Sequence, residues 1–180
     1  MIYKTLIFTL LFLTIVSLTC CKQGKDRGAP TTTVPEAKRK MEHINRVLVD
    51  KDKEKIEAYI SRRNLDEMQK NKSGLFYMIW GEPNGPQVKT GSIVFLNFQV
   101  SLLDGTVCYS SQDSKPLEFL VGQGGVESGL EMAVLLMQQG QKGKFILPPH
   151  LGHGLLGDLH KIPPLAILVY DVEVIEVIEY

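Results

Sequence analysis

From Ser73 to Tyr180 the chain is a series of short β-forming runs separated by glycine and proline turns, and only one stretch has helical periodicity. The runs that favour strands are 75–80, 92–100, 106–110, 116–121, 142–147 and 165–178. In the last run, Tyr170, Val172 and Val174 alternate with acidic residues, which is typical of a strand with one buried face. The pattern predicts an α+β fold in which an antiparallel sheet wraps around one short helix.

Two local signals refine this prediction. Asp104-Gly105 predicts a hairpin turn, because glycine adopts positive φ without a steric cost. Ser128 and Glu131 have the spacing of a capping box, and Gly140 stands where a helix would stop. We therefore expect a helix from Ser128 to about Gly140 whose apolar face covers the sheet; that face comprises Leu130, Ala133, Val134 and Met137.

Residues 1–21 have the features of an export signal. Lys4 precedes an apolar run at 6–16 that is too short to span a membrane comfortably. The run leads into Leu18-Thr19-Cys20-Cys21, which resembles a bacterial lipobox and implies acylation of Cys21, with Cys20 as the alternative. We expect a membrane-anchored lipoprotein of the bacterial cell envelope, and an ordinary secretory signal is the other interpretation. After processing, only Cys108 would remain, so no internal disulfide is expected.

The segment after the cysteines predicts a spacer and then a charged helical region. Residues 22–35 contain glycine, proline and a threonine run, the composition of a flexible linker, and no acidic cluster follows Cys21, which favours the periplasmic face. Residues 36–72 are highly charged and predict two short helices or one bent one. Their apolar stripe comprises Met41, Ile44, Leu48, Ile56, Tyr59 and Ile60. It could pack on the following domain or on a second copy of the chain, so a homodimer is possible but not indicated.

The overall charge argues against one class of partner. The chain has 20 basic and 20 acidic residues, so its formal net charge is zero. Binding to a nucleic acid backbone requires a positive surface. We therefore expect no nucleic-acid partner.

Residues 73–180 resemble an FKBP-type peptidyl-prolyl cis/trans isomerase domain. The resemblance lies in motifs that follow one another in the family's order, and the combination of Ile162-Pro163-Pro164 with Tyr170-Asp171-Val172 is the most specific of them. The other motifs are Asp104-Gly105, Ser110-Ser111, Lys115-Pro116, Gly122, Val126, Gly129, Gly140, Pro149 and Gly154. The resemblance implies catalysis of X-Pro isomerisation in proline-containing polypeptide segments, with no metal and no cofactor.

By match to the family, an apolar cup would hold the prolyl ring. Its lining would comprise Phe98, Tyr109, Phe119, Val126, Leu130, His153, Ile162 and Tyr170, and the backbone N–H of Glu127 would face a ligand carbonyl. Rotation about a peptide bond has a barrier of about 18–20 kcal/mol, because it destroys amide resonance. A catalyst therefore has to favour the twisted amide by removing water, which an aromatic cup does.

Four positions depart from the family's pattern. Leu130 replaces a tryptophan, Tyr109 an aspartate, Cys108 a phenylalanine and His153 a tyrosine. A leucine floor offers less aromatic surface, so activity could be low, and a catalytically weak chaperone or partner-binding module is the alternative. Tyr109-Ser110-Ser111 together with the lipobox is similar to gliding-motility-associated FKBP-type lipoproteins, which suggests a link to gliding motility or secretion.

Two further chemistries fit the residues less well. His150, His153 and His160 with Asp158 could form a metal site, but a fourth ligand is not evident. Cys108 lies on an apolar run, where cysteine is more often buried than nucleophilic.

Overall fold

The computed structural model describes residues 34–179, so the predicted export signal, Cys20, Cys21 and most of the predicted linker lie outside the described residues. Residues from Glu42 onward form one compact unit. In chain order the elements are α1 (Val34–Arg62), β1 (Gln69–Lys70), β2 (Phe76–Trp80), β3 (Ile93–Leu102), β4 (Val107–Ser110), β5 (Leu117–Leu120), α2 (Ser128–Val134), β6 (Lys142–Leu147), a 3₁₀ turn (Pro149–Leu151) and β7 (Leu168–Ile178). Within this range, no helix combines the length and apolar character that crossing a membrane requires.

The seven strands form one antiparallel sheet in the order β1-β2-β6-β7-β3-β4, with β5 also paired to β3. The six predicted runs all form strands, and the predicted α+β class is confirmed. Asp104-Gly105 forms the expected turn between β3 and β4: Gly105 has φ 94°, and the Leu102 N–H donates to the Thr106 carbonyl over 2.9 Å. On β7, Asp171 and Glu173 point outward and pair with Lys144 and Lys142 of β6.

The inner face of the sheet packs on α2. Gly129, Leu130, Ala133 and Val134 of this helix are buried, and a Cβ on Gly129 would lie 2.6 Å from the Leu147 side chain, so only glycine allows this approach. The helix is shorter than the sequence predicts. It ends at Val134, and Met137 reaches the core from a following turn in which its N–H bonds to the Val134 carbonyl.

The predicted capping box is wrong. Glu127 is the residue that precedes the first turn of α2, and no side chain caps the helix. The Glu131 carboxylate instead accepts hydrogen bonds from the backbone N–H groups of Gly122 and Gly124 at 3.2 and 3.0 Å. The backbone N–H groups of the β5–α2 loop therefore bind the carboxylate that a capping box would use.

The helix α1 is one continuous helix that ends at Arg62, which excludes the first of the two predicted alternatives, two short helices. No glycine or proline interrupts 36–62, which removes the two residue types that most readily break a helix. Its C-terminal half covers the outer face of the sheet, where Ile56 and Tyr59 pack with Phe76, Ile146, Ile167 and Val169. Burial of such a side chain contributes about 1.5–3 kcal/mol. By contrast, Ile44 remains 42% exposed.

Candidate functional site

A cavity of about 360 Å³ opens beside the β4–β3–β7 part of the sheet. Val100 of β3 is paired with Tyr109 of β4 on one side and Tyr170 of β7 on the other, so these three side chains form one inward-facing row. The lining comprises Phe98, Val100, Tyr109, Ser110, Asp113, Ser114, Lys161 and Tyr170. Its volume is in the range of small-ligand sites, and three of the nine predicted site residues line it.

The other six predicted site residues do not line this cavity, but Glu127 contacts Tyr170 directly and several others share its hydrophobic core. Leu130 of α2 and Ile162 belong to the same buried cluster as Tyr170, and Val126 packs against that cluster. The Tyr170 hydroxyl donates a hydrogen bond of 2.9 Å to Glu127 Oε1, and His153 Nε2 lies 2.7 Å from the same oxygen. A polar chain therefore runs from the buried tyrosine through Glu127 to the loop that carries His153.

Phe119 belongs to the same buried cluster but lies farther along the sheet. It pairs with Val94 on β3, four residues from Phe98 and so roughly 13 Å along the strand, and it does not line the cavity. Leu117, two residues earlier on β5, pairs with Leu96 and lies nearer to Phe98. The register of β5 thus favours Leu117 as this strand's closest contribution to the site.

Tyr170 and Glu127 provide two hydrogen-bonding groups of different kinds. Burial, and then the negative charge of Glu127, raise the pKa of Tyr170 far above its usual range, so its hydroxyl stays protonated. The Glu127 N–H donates no hydrogen bond to any residue within 34–179, although its carbonyl accepts from Leu130 and Glu131 at the start of α2. That N–H is consequently available to a ligand.

The second tyrosine of the site is anchored by Asp158. The Tyr109 hydroxyl donates to Asp158 Oδ2, while Asp158 Oδ1 accepts from the N–H groups of His160 and Ile162 at 2.9 and 2.8 Å. Burial would raise the pKa of Asp158, but these hydrogen bonds outweigh it and lower the pKa to about 2. The hydrogen bond to Asp158, followed by burial, raises the pKa of Tyr109. Asp158 thereby fixes both the ring of Tyr109 and the loop that carries Ile162.

The geometry of residues 34–179 supports neither of the two alternative chemistries, a metal site or a nucleophilic Cys108. Among residues 34–179, no group of three His, Cys, Asp or Glu side chains is arranged to hold a metal ion. His150 Nε2 instead lies 3.1 Å from the Ser73 carbonyl, and His153 bonds to Glu127. Burial raises the pKa of the Cys108 thiol, which is 2% exposed, so the thiolate needed for a nucleophile is disfavoured.

The family model described as "FKBP-type peptidyl-prolyl cis-trans isomerase" matches residues 85–175, about half of the chain. The chain belongs to this family. FK506-binding protein 2 of Dictyostelium discoideum is 40% identical over 90 residues, covering 49% of this chain and 68% of that protein. Peptidyl-prolyl cis-trans isomerase FKBP9 of Homo sapiens is 36% identical over 91 residues, half of this chain, and the match spans only 16% of that relative's length.

The fold likeness extends beyond the matched segment. The crystal structure of FkpA from Escherichia coli superposes with a TM-score of 0.62 over 83% of this chain and 75% of the other, at 23% sequence identity. At that identity the likeness concerns the fold alone. It shows that the FKBP fold inferred from the sequence is present here.

In this FKBP domain the cavity offers aromatic walls and an unused backbone donor. Phe98 and the two tyrosine rings form apolar walls, and Glu127, whose N–H donates to no residue within 34–179, is joined to Tyr170 of this wall through its side chain. None of these groups is a nucleophile. The arrangement suits a reaction without covalent chemistry, in which an amide is desolvated and held as it rotates.

Sequence reasoning missed the roles of Lys161 and Asp158. The Lys161 ammonium lies 5.1 Å from the centre of the Tyr109 ring and lines the cavity. Asp158 follows Gly157 in a loop and accepts hydrogen bonds from the backbone N–H groups two and four residues later. Aspartate often makes such bonds in turns, and this preference could have identified Asp158 as an anchor of the loop.

Proposed function

We propose that this chain is a peptidyl-prolyl cis/trans isomerase that acts on X-Pro bonds of exported proteins. The observation that carries the proposal is the aromatic cavity of Phe98, Tyr109 and Tyr170, next to the unused Glu127 N–H. Family membership supports the same reaction. The match spans only 16% of the length of FKBP9, so the proposed activity and substrates rest on the site of this chain itself.

The mechanism follows from the polarity of the cavity. A planar amide is more polar than a twisted one, so transfer from water to walls of Phe98 and Tyr170 raises the energy of the planar form relative to the twisted form. The Glu127 N–H holds a substrate carbonyl and limits how the segment can rotate in the cavity. No proton transfer is needed, which agrees with a Tyr170 hydroxyl that remains protonated.

A protease-coupled isomerisation assay on the full chain in detergent tests this proposal. We expect the wild-type chain to accelerate cis-to-trans conversion of a Leu-Pro tetrapeptide, and Phe98→Ala to lower kcat/KM by roughly tenfold, equal to about 1.4 kcal/mol of transition-state stabilisation. Trp80→Ala is the matched aromatic control, because Trp80 is 43% exposed and does not line the cavity. Equal losses in the two variants, or no acceleration by the wild type, would contradict the proposal.

A partner-binding or chaperone role is the second candidate, and one observation favours it. Leu155, Leu156 and Leu159 are 71%, 72% and 84% exposed on the loop that also carries His153 and Ile162. Asp158 holds the part of this loop from 158 to 162 through the N–H groups of His160 and Ile162, and the exposed leucines lie in this part and just before it. Exposed apolar clusters of this kind are typical of protein-binding surfaces.

The two roles separate experimentally. Replacing the three leucines by serine should weaken suppression of aggregation of a denatured client, measured by light scattering, and leave turnover of a tetrapeptide within about twofold. If the wild-type chain does not suppress aggregation, and the leucine substitutions do not change the light scattering, the second role is excluded.

We further propose that the domain is anchored in the cell envelope as a lipoprotein, acylated on Cys21 and facing the periplasm. The support is the lipobox and the spacer composition of residues 22–35. Two or more acyl chains hold a protein on a membrane where one chain binds reversibly. Cys21→Ala should abolish incorporation of labelled palmitate and shift the chain out of the membrane fraction, whereas Cys20→Ala should not. The reverse pattern would assign Cys20.

A role in gliding motility or secretion is proposed on the resemblance of the Tyr109-Ser110-Ser111 segment and the lipobox to lipoproteins of that kind. A deletion strain should then lose colony spreading, and the wild-type gene but not Phe98→Ala should restore it. Normal spreading of the deletion strain would leave general folding of exported proteins as the role.

A further inference from the structure

The Glu127 carboxylate is held at the inner wall of the site by two contacts. The backbone of Glu127 enters α2 with φ −60° and ψ 142°, and this conformation leads from the β5–α2 loop into the first turn. Its side chain meets the Tyr170 hydroxyl at 2.9 Å and His153 Nε2 at 2.7 Å. One partner lies on a central strand and the other on the rim loop, so the carboxylate lies between the cavity wall and the rim.

Both contacts use the same carboxylate oxygen. Oε1 accepts a hydrogen bond from the Tyr170 hydroxyl and lies 2.7 Å from His153 Nε2, while Oε2 accepts no hydrogen bond from any residue of the described part of the chain. The Glu127 side chain is only 17% exposed. An ionised carboxylate has acceptor capacity for several donors, and no buried side-chain oxygen of the described residues lacks a partner, so the unpaired Oε2 is accessible from outside the protein. The open oxygen is therefore suited to a donor that a ligand supplies.

The charged groups around the cavity carry a net negative charge, which also favours a ligand with a positive charge. Glu127, Asp158 and Asp113 provide three carboxylates, against the single ammonium of Lys161. The excess is two negative charges when His153 is neutral and one when it is protonated. Since Asp158 already accepts three hydrogen bonds, Glu127 is the carboxylate with room for a new partner.

We infer that the site selects X-Pro segments in which a residue next to the proline carries a positive charge, lysine or arginine. This inference rests on the proposed isomerase function and adds its substrate class. The nitrogen of an X-Pro amide has no hydrogen, so that amide cannot donate to Oε2, whereas a flanking cationic side chain can. The Glu127 carboxylate contacts Tyr170, which lines the cavity, so it lies close enough for a residue next to a proline held there to reach it.

The expected effect is a preference of about tenfold in kcat/KM for lysine over leucine beside the proline, and a similar disadvantage for glutamate. Partial exposure of the carboxylate limits the preference to this size. It should decline as ionic strength rises from 0.05 to about 1 M, because the screening length shortens to roughly 3 Å. A purely structural role for Glu127 would give no such dependence on substrate charge or salt.

The experiment uses the full chain in detergent and tetrapeptides with leucine, lysine or glutamate before the proline, and a second set with these residues after it. Glu127→Gln should reduce the lysine-to-leucine ratio from about ten to about one, whatever its rate on the leucine peptide. Glu118→Gln, on the exposed side of β5, removes an equal charge away from the site and should leave the ratio unchanged.

Each outcome bears on a different claim. If all peptides are isomerised equally well in both sets, the selectivity is overturned and the isomerase function stands. If none is isomerised, the isomerase function fails, and the affinities of the same peptides, measured by NMR titration, decide on the selectivity. Equal affinities of lysine and glutamate peptides would overturn it, and a preference for lysine lost in Glu127→Gln would support it.

Discussion

Replacing Tyr170 by phenylalanine distinguishes the contribution of its hydroxyl group from that of its ring. The substitution keeps the ring, which is part of the main core at 3% exposure, and removes the hydroxyl that donates to Glu127 Oε1 over 2.9 Å. A hydrogen bond to a charged group contributes about 1.5–3 kcal/mol. Because Glu127 retains His153 and is partly solvated, we expect a loss near the lower end, about 1–2 kcal/mol.

Thermal unfolding measures this loss directly. For a domain of this size, 1 kcal/mol corresponds to about 2–4 °C, so the unfolding temperature should fall by roughly 2–8 °C. The rate on a Leu-Pro peptide should change by less than about threefold, since the apolar wall is preserved. An unchanged unfolding temperature would show that the hydrogen bond from Tyr170 to Glu127 does not stabilise the protein in solution. A tenfold loss of rate would refute the view that Tyr170 contributes to catalysis through its ring alone.

Three further predictions concern the loop, its anchor and the packing of α1. Gly157→Ala should lower the free energy of unfolding by about 2 kcal/mol or more, because φ is 69° and a Cβ would lie 2.1 Å from a backbone oxygen of the same loop. Gly154→Ala, with φ 61° and open space around it, should cost about 1 kcal/mol, measured by urea unfolding, and equal losses would argue against the clash. The stability contributed by Asp158 should be complete above pH 3.8 and disappear as the pH falls through about 2, since its folded pKa is depressed. Tyr109→Phe should raise that pKa toward 3.8, followed by NMR of the carboxyl carbon, and an unchanged pKa would exclude the tyrosine as a cause. Ile56→Ala should destabilise the chain by about 2–5 kcal/mol without changing the isomerisation rate well below the unfolding temperature; a rate loss would show that α1 acts on the site.

The sheet and the single covering helix could be predicted because their signals are local. Alternating polarity places Tyr170, Val172 and Val174 inward on β7, and Asp104-Gly105 favours one turn type. The end of α2 could not be predicted in the same way. Met137 reaches the core whether it continues the helix or follows a tighter turn, so apolar periodicity does not distinguish the two.

The site was harder to predict than the fold because its contacts are remote in sequence. Glu127 meets Tyr170 across 43 positions, and Tyr109 meets Asp158 across 49. The family resemblance named Glu127 for its backbone N–H, but nothing local indicated that its carboxylate would join Tyr170 to His153. Likewise, Phe119 matches an apolar position of β5, and only the register shows that it pairs with Val94 away from the cavity.

The most direct test of isomerase function is an exchange NMR spectrum of a Leu-Pro peptide with a catalytic amount of the full chain. Uncatalysed exchange takes tens of seconds or longer and gives no cross peaks between cis and trans signals on the usual mixing time. We expect cross peaks with the wild-type chain and an exchange rate lower by roughly tenfold with Phe98→Ala, a variant of the cavity wall. Peptide binding without cross peaks would contradict this expectation and would mean that the FKBP fold here serves binding alone.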